Sequence, residues 1–195
     1  MVCSSDAVRR VARRHGFRAG GGRRLRGAPA ALRTVPEGSD ARRLLGAVGI
    51  PTGVFRPQTP RENGEFPLVR DRIDLSGHEA PQGCEDYENW VVFGWIPLTA
   101  LALDTGTGGV HGFSENGGPV HKLHQDLSSL VQLTFQLQRL LKQFTPTDDE
   151  DADYERRAKA VSGIREHVEE RDALPFSDDS IWPQIMEEIA AGMWS

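Results

Sequence analysis

The chain has 195 residues, 38% of them hydrophobic and 26% charged, which suits one hydrophobic core, while 21 Gly and 12 Pro imply many turns. No apolar run approaches the ~20 residues of a membrane span, and the Arg-rich start lacks the apolar stretch of a secretory signal, so a soluble cytoplasmic protein is expected. The net charge of −5 is unevenly spread: residues 1–43 hold eleven Arg against Asp6, Glu37 and Asp40, and residues 145–190 hold fourteen acids against five bases.

Taken in order, residues 1–24 read as a basic arm, expected to be disordered, ahead of one folded domain over 25–195. Val8, Val11 and Ala12 make a weak helical stripe among arginines, broken at Gly20-Gly-Gly22. The arm is either a contact for an anionic partner or a frayed terminus. With twenty Arg to three Lys, the excess fits a GC-rich coding sequence as well as any function, which weakens a nucleic-acid reading. Ser39-Asp40 then caps a short helix through Val48, with Leu44, Leu45 and Val48 on one face and Gly49 and Pro51 ending it. Residues 52–89 are interrupted by Pro57, Pro60 and Pro67 and read as a variable surface connection, with a lid or binding loop as the alternative, and show strand-like patches at Phe55, Phe66, Leu68, Val69, Ile73 and Leu75.

Trp90 to Phe144 is the best-defined folding unit. Two apolar runs, Trp90–Ile96 and Thr99–Asp104, precede the turn Thr105–Gly109 and the strand Val110–Phe113. Gly94 inside a strand predicts a bulge or a close backbone approach. Asn116–Pro119 is a turn, and Val120–Leu123 a last short strand. Asp126 caps a long helix whose stripe runs through Leu127, Leu130, Val131, Leu133, Leu137, Leu140, Leu141 and Phe144, wide enough to lie on a sheet. Acids at Asp148–Asp153 open the next helix, half exposed, with Ala158, Val161, Ile164 and Val168 inward. The terminal helix begins at Asp178–Pro183 and buries Ile181, Trp182, Ile185, Ile189 and Met193. The expected fold class is α+β, a small antiparallel-rich sheet packed by helices.

Chemistry is sparse. The one candidate group is His111, His121 and His124 with Asp104 upstream. Its spacing matches no metal motif, although His111 and His121 could face each other across a turn. Strand-end histidines are ordinarily surface residues. Gly106, Gly108 and Gly109 lie between two strands, with no following helix and no lysine, so they form a hairpin turn rather than a phosphate cradle. Cys3 and Cys84 read as free thiols. No catalytic, cofactor-binding or metal-binding residue is assigned, and no cofactor. The acids after residue 145 form either a field that steers a basic partner or an ordinary solvated helix face.

Four stretches in order resemble one family. Ala41-Arg-Arg-Leu-Leu-Gly-Ala-Val-Gly-Ile-Pro51 is similar to a helix end of the SUKH-superfamily bacterial immunity proteins, fourth subfamily. Val91–Gly94, Ala100–Asp104 and Thr107–Val110 resemble its strand-glycine, strand-aspartate and turn-glycine-valine pattern. Asp126–Leu130 resembles the start of its long helix, and Trp182–Gly192 its closing helix. The chain departs from the pattern at Trp95 and at His124-Gln125, and residues 52–89 have no counterpart. The resemblance implies a SUKH-like α+β domain that neutralises a cognate polymorphic toxin, a nuclease or nucleic-acid deaminase, by direct binding, without catalysis of its own. The expected partner is a basic toxin domain, with no membrane and no nucleic acid bound directly. The alternatives are a small metal-binding or hydrolytic enzyme built on the histidines, or a regulatory scaffold of the same fold.

Overall fold

The computed structural model of the protein describes residues 24–25, 35–47 and 49–194. Nine strands and five helices alternate in the order β1 (Arg24–Leu25), α1 (Asp40–Ala47), β2 (Ile50–Pro51), β3 (Arg56–Pro57), α2 (Val69–Arg72), β4 (His78–Glu79), β5 (Val91–Ile96), β6 (Thr99–Leu103), β7 (Val110–Ser114), β8 (Gly118–Pro119), β9 (His121–His124), α3 (Leu127–Gln143), α4 (Glu150–Glu169) and α5 (Trp182–Ala190), counted among the described residues. Five strands form an antiparallel sheet in the order β3-β5-β6-β7-β9. β1 pairs antiparallel with β2, and β4 pairs parallel with β8. The expected basic arm and Cys3 fall outside the described residues, apart from Arg24 at the start of β1.

The sheet separates two cores. On one face Val91, Phe93, Ile96, Leu101, Leu103, Val110 and Leu123 pack with Leu127, Leu130, Leu133 and Leu137 of α3, Val161, Ile164 and Val168 of α4, and Trp182, Ile185 and Ile189 of α5. On the other, Val92, Ala100, Ala102 and Phe113 pack with Val69, Trp90 and Val120. Both faces are therefore apolar. The sheet strands read as nearly continuous hydrophobic runs rather than clean alternations for this reason.

The local signals explain the boundaries. Ser39 Oγ accepts from Arg42 N–H at 3.2 Å and starts α1. Gly49, at φ 75°, ends it by donating its N–H to Leu44 C=O at 2.9 Å, the left-handed cap that a Cβ would strain. Asp126 accepts from Ser129 N–H at 3.0 Å and starts α3. Asp149 does the same for α4 through Ala152 N–H, also at 3.0 Å. Both expectations about Gly94 hold. The β5–β6 register slips between Val92 and Gly94, and a Cβ on Gly94 would lie 2.1 Å from the Phe55 ring and 2.8 Å from Arg56 C=O. The bulge shifts the alternation, so Trp95 turns to the outer face and Ile96 to the helical core.

Three expectations need correction. Residues 52–89 are not a surface connection: Val54, Phe55, Phe66 and Val69 are buried, and the segment supplies edge strand β3 and the cover of the outer face. Pro57 is admitted because β3 is an edge, where a missing N–H costs no ladder bond. The stretch Asn116–Pro119 is more than a turn, since Gly118 and Pro119 pair in parallel with His78 and Glu79. Ile181 and Met193 are half-buried, whereas Met186 and Ala190 fill the inner side of α5.

Candidate interaction surface

The histidines do not form a site. His111 pairs with Lys122 and Gly112 with His121, so His111 and His121 stand one residue apart in register, on opposite faces of the sheet. His111 is buried against Trp90, ring centroids 3.9 Å apart, and its Nδ1 has no hydrogen-bond partner among the described residues. Burial pushes its pKa down to about 4, with Asp104 opposing and Lys122 assisting. His121 is half-buried at the sheet edge, 3.8 Å from Asp179. Among the described residues no group of three or more His, Cys, Asp or Glu is placed to hold a metal ion.

His124 is fully buried and acts as a structural joint. The Trp182 indole N–H, which can only donate, gives its hydrogen bond to His124 Nε2 at 2.9 Å. Nε2 must therefore be bare, and the proton sits on Nδ1, which donates to Ser129 Oγ at 3.0 Å. Asp172 lies 3.9 Å from Nδ1 and accepts instead from Gln125 N–H at 2.8 Å and Leu174 N–H at 3.1 Å. Burial drives the His124 pKa down to about 3 against the fields of Asp172 and Asp126. Serine, histidine and aspartate meet here, but the Trp182 indole occupies the nitrogen a general base would need, and water has no access. The expectation that these histidines are surface residues thus fails for His111 and His124, because apolar cover reaches both faces of the sheet.

Asp104 is a turn-former. Its carboxylate accepts from Gly106 N–H at 2.8 Å, Thr107 N–H at 3.2 Å and Thr107 Oγ–H at 2.6 Å. Partial burial would raise its pKa, but these hydrogen bonds outweigh that and leave it lowered. Gly106, Gly108 and Gly109 belong to the hairpin turn, as their spacing indicates. A cavity of about 620 Å³ opens beside this turn, between Asp40 and Leu44 of α1 and the start of α3. Its carboxylates at Asp104 and Asp126 are already hydrogen-bonded to their own backbones.

The surface with most binding character is the outer side of α4. Asp148, Asp149, Glu150, Asp151, Glu155, Glu166, Glu169 and Glu170 are exposed. Asp151, Glu155, Lys159, Ser162 and Glu166 follow one another at helical spacing on this side, so one exposed lysine sits among the acids, and Tyr154 beside them is 53% exposed. The arginines of the same helix engage neighbouring elements. Arg156 and Arg157 each lie 4.7 Å from the Phe144 ring, and Arg157 Nε donates to Ala190 C=O at 3.0 Å. Arg165 lies 5.3 Å from the Phe176 ring. Asp153 is the exception among the acids: it is buried, accepts from Thr147 N–H and Oγ–H at 2.8 Å each, and pairs with Arg156 at 2.6 Å. The outward face is acidic on balance, with Lys159 exposed among the carboxylates and Arg165 paired with Glu169 at 3.5 Å.

Sequence reasoning did not single out Tyr154 or a second patch around Trp95. There Gln58 Oε1 accepts from Trp95 Nε1 at 3.2 Å and Arg72 Nε at 3.3 Å, while Arg72 and Arg56 lie 5.3 and 5.9 Å from the indole. The bulge at Gly94, which was visible, is the signal that turns Trp95 outward.

A family model described as SUKH-4 immunity protein matches residues 17–188. No curated protein and no solved structure matches the chain. The matched span contains α1, the whole five-stranded sheet, α3, α4 and most of α5, so the resemblance seen in four short stretches extends across the described fold. The chain belongs to the SUKH-4 immunity protein family.

Proposed function

We propose that this protein is an immunity protein that binds a cognate toxin domain directly, and that the outer face of α4 is its principal contact. The domain that does so spans residues 25–195, acts in the cytoplasm, and works by occlusion without turnover. The observation that carries the reading is the balance of charge on α4: on the outward side the exposed acids outnumber the exposed Lys159, Tyr154 is exposed beside them, and the arginines also contact Phe144, Phe176 and the end of α5. Such a face attracts a basic partner, competes with its nucleic-acid substrate, and offers one amphipathic ring as an anchor. A toxin that acts on nucleic acid is basic where it holds the phosphate backbone, and that is the surface α4 complements. A complex of ordinary size would bury about 1,600 Å² in total.

The test is co-expression with the toxin domain encoded beside this gene, followed by binding measured across salt concentrations. Protection of the cell and an affinity that falls steeply with salt are the expected results. Replacing Asp151, Glu155 and Glu166 together by Lys is expected to slow association by at least about tenfold and leave folding intact. If protection persists with that triple variant, the contact lies elsewhere. If no neighbouring toxin is neutralised, the immunity reading itself fails.

A further inference from the structure

His78 stands where the segment 73–79 is fastened to the outer face of the sheet. It follows the 3₁₀ turn Leu75–Gly77 and opens β4. Its Nδ1 lies 2.9 Å from Asp74 C=O, and its Nε2 lies 3.0 Å from Ser114 C=O at the end of β7. A carbonyl oxygen accepts and cannot donate, so each of these bonds requires an N–H on the ring. A neutral imidazole carries one N–H and turns a lone pair toward the other carbonyl, whereas the imidazolium supplies both. The joint has little slack in which to avoid the conflict. A Cβ on Gly117 would come within 2.5 Å of Gly77 C=O, so the backbone just before β8 already lies close against the turn, and the ring itself rests 5.6 Å from the Phe113 ring.

We propose that His78 is a proton-dependent clamp that straps residues 73–79 across the outer face of the sheet when doubly protonated and releases one end of the strap when it loses a proton. The charged groups around it are Asp74 on the same turn, Glu79 next in the chain, Arg72 at the end of α2 and Glu115 just after β7. β8, Gly118–Pro119, contributes no charge. Beneath the strap lies a cavity of about 200 Å³ floored by Trp95, Ala100 and Phe113. Release opens this apolar floor to solvent and loosens the β4–β8 pairing. The device is independent of the toxin-binding reading, because it is a property of the free chain.

The experiment uses the full chain labelled with ¹⁵N. The His78 ring nitrogens are observed across pH, and backbone amide exchange is followed at Ser76, His78 and Val120, whose N–H groups bond Asp74 Oδ1, Leu75 C=O and Glu79 C=O. The expected result is two protonated ring nitrogens wherever the strap is protected. Protection at these amides, corrected for intrinsic exchange, should then fall several-fold as the ring deprotonates, in proportion to the loss of one hydrogen bond. His78→Gln, whose amide nitrogen donates at every pH while its oxygen only accepts, is expected to hold protection constant. A neutral ring of one tautomer under a fully protected strap would overturn the clamp, as would strap protection that ignores the His78 titration. The wild-type ring spectrum decides the matter even if the variant fails to fold.

Discussion

At the scale of single residues, the tautomer of His124 carries the joint between β9, α3 and α5. Because its pKa falls from 6.5 to about 3, the folded state keeps the ring neutral while the unfolded chain takes up a proton below about pH 6.5. The unfolded state binds more protons in that window, so stability falls as pH is lowered from about 6.5 towards 3. His111, lowered to about 4, adds a contribution of the same sign over a narrower window. Chemical denaturation at pH 7.5 and pH 5 is expected to show a loss of roughly 1 kcal/mol per pH unit from His124, with His111 adding to it. A stability constant across this range would mean that His124 is not held neutral. Trp182→Phe keeps one aromatic ring but removes both the donor to Nε2 and the volume of the indole's second ring from a fully buried site, and a cost of about 2–4 kcal/mol in the same assay is expected. Gln138 is the converse case. It is buried with both side-chain polar atoms unpartnered among the described residues, its Oε1 pressed against Gly53. Gln138→Leu removes two unsatisfied groups and is expected to raise stability by about 1 kcal/mol.

At the scale of elements, the bulge at Gly94 links several features. It admits the Phe55 ring against the backbone of β5, and it turns Trp95 to the outer face and Ile96 to the helical core. Gly94→Ala places a methyl group inside the Phe55 ring and near a backbone carbonyl that cannot move freely. The expected cost is about 1–3 kcal/mol, with a changed near-ultraviolet signal from Trp95, read by thermal melts and circular dichroism. Much of this was legible: a glycine inside an apolar run signals a bulge or a close approach. Its contact with Phe55 was not, because the four prolines of residues 52–89 hid the periodicity of a segment that packs by single side chains. The short turn between β5 and β6 is marked in the sequence only by Pro97 and the break between the two apolar runs, since Leu98 adopts φ 59°, where glycine is the usual occupant.

At the scale of the whole molecule, opposite sides of the chain carry different chemistry. The helical side presents the acids of α4, and the other presents Trp95 with Arg56 and Arg72 beside the His78 strap. A toxin complex that docks on α4 is expected to leave amide exchange at Ser76, His78 and Val120 unchanged, and protection appearing there on binding would move the interface to the Trp95 side. No helix among the described residues is long and apolar enough to cross a membrane.

The sequence alone determined the class of fold, because capping residues, turn glycines and the leucine stripe of α3 are local signals readable within a few residues of where they act. It also determined the family, through four short stretches in order. Only the tertiary structure decided the histidines and the charges. Whether a histidine on a strand end meets water or an indole depends on which face the register gives it and what covers that face. Whether an arginine on a helix also lies against an aromatic ring of another segment, as Arg156 and Arg165 do while pairing with Asp153 and Glu169, depends on how that segment packs. Both are long-range facts, fixed by packing between segments far apart in the chain, and no spacing within one segment encodes them.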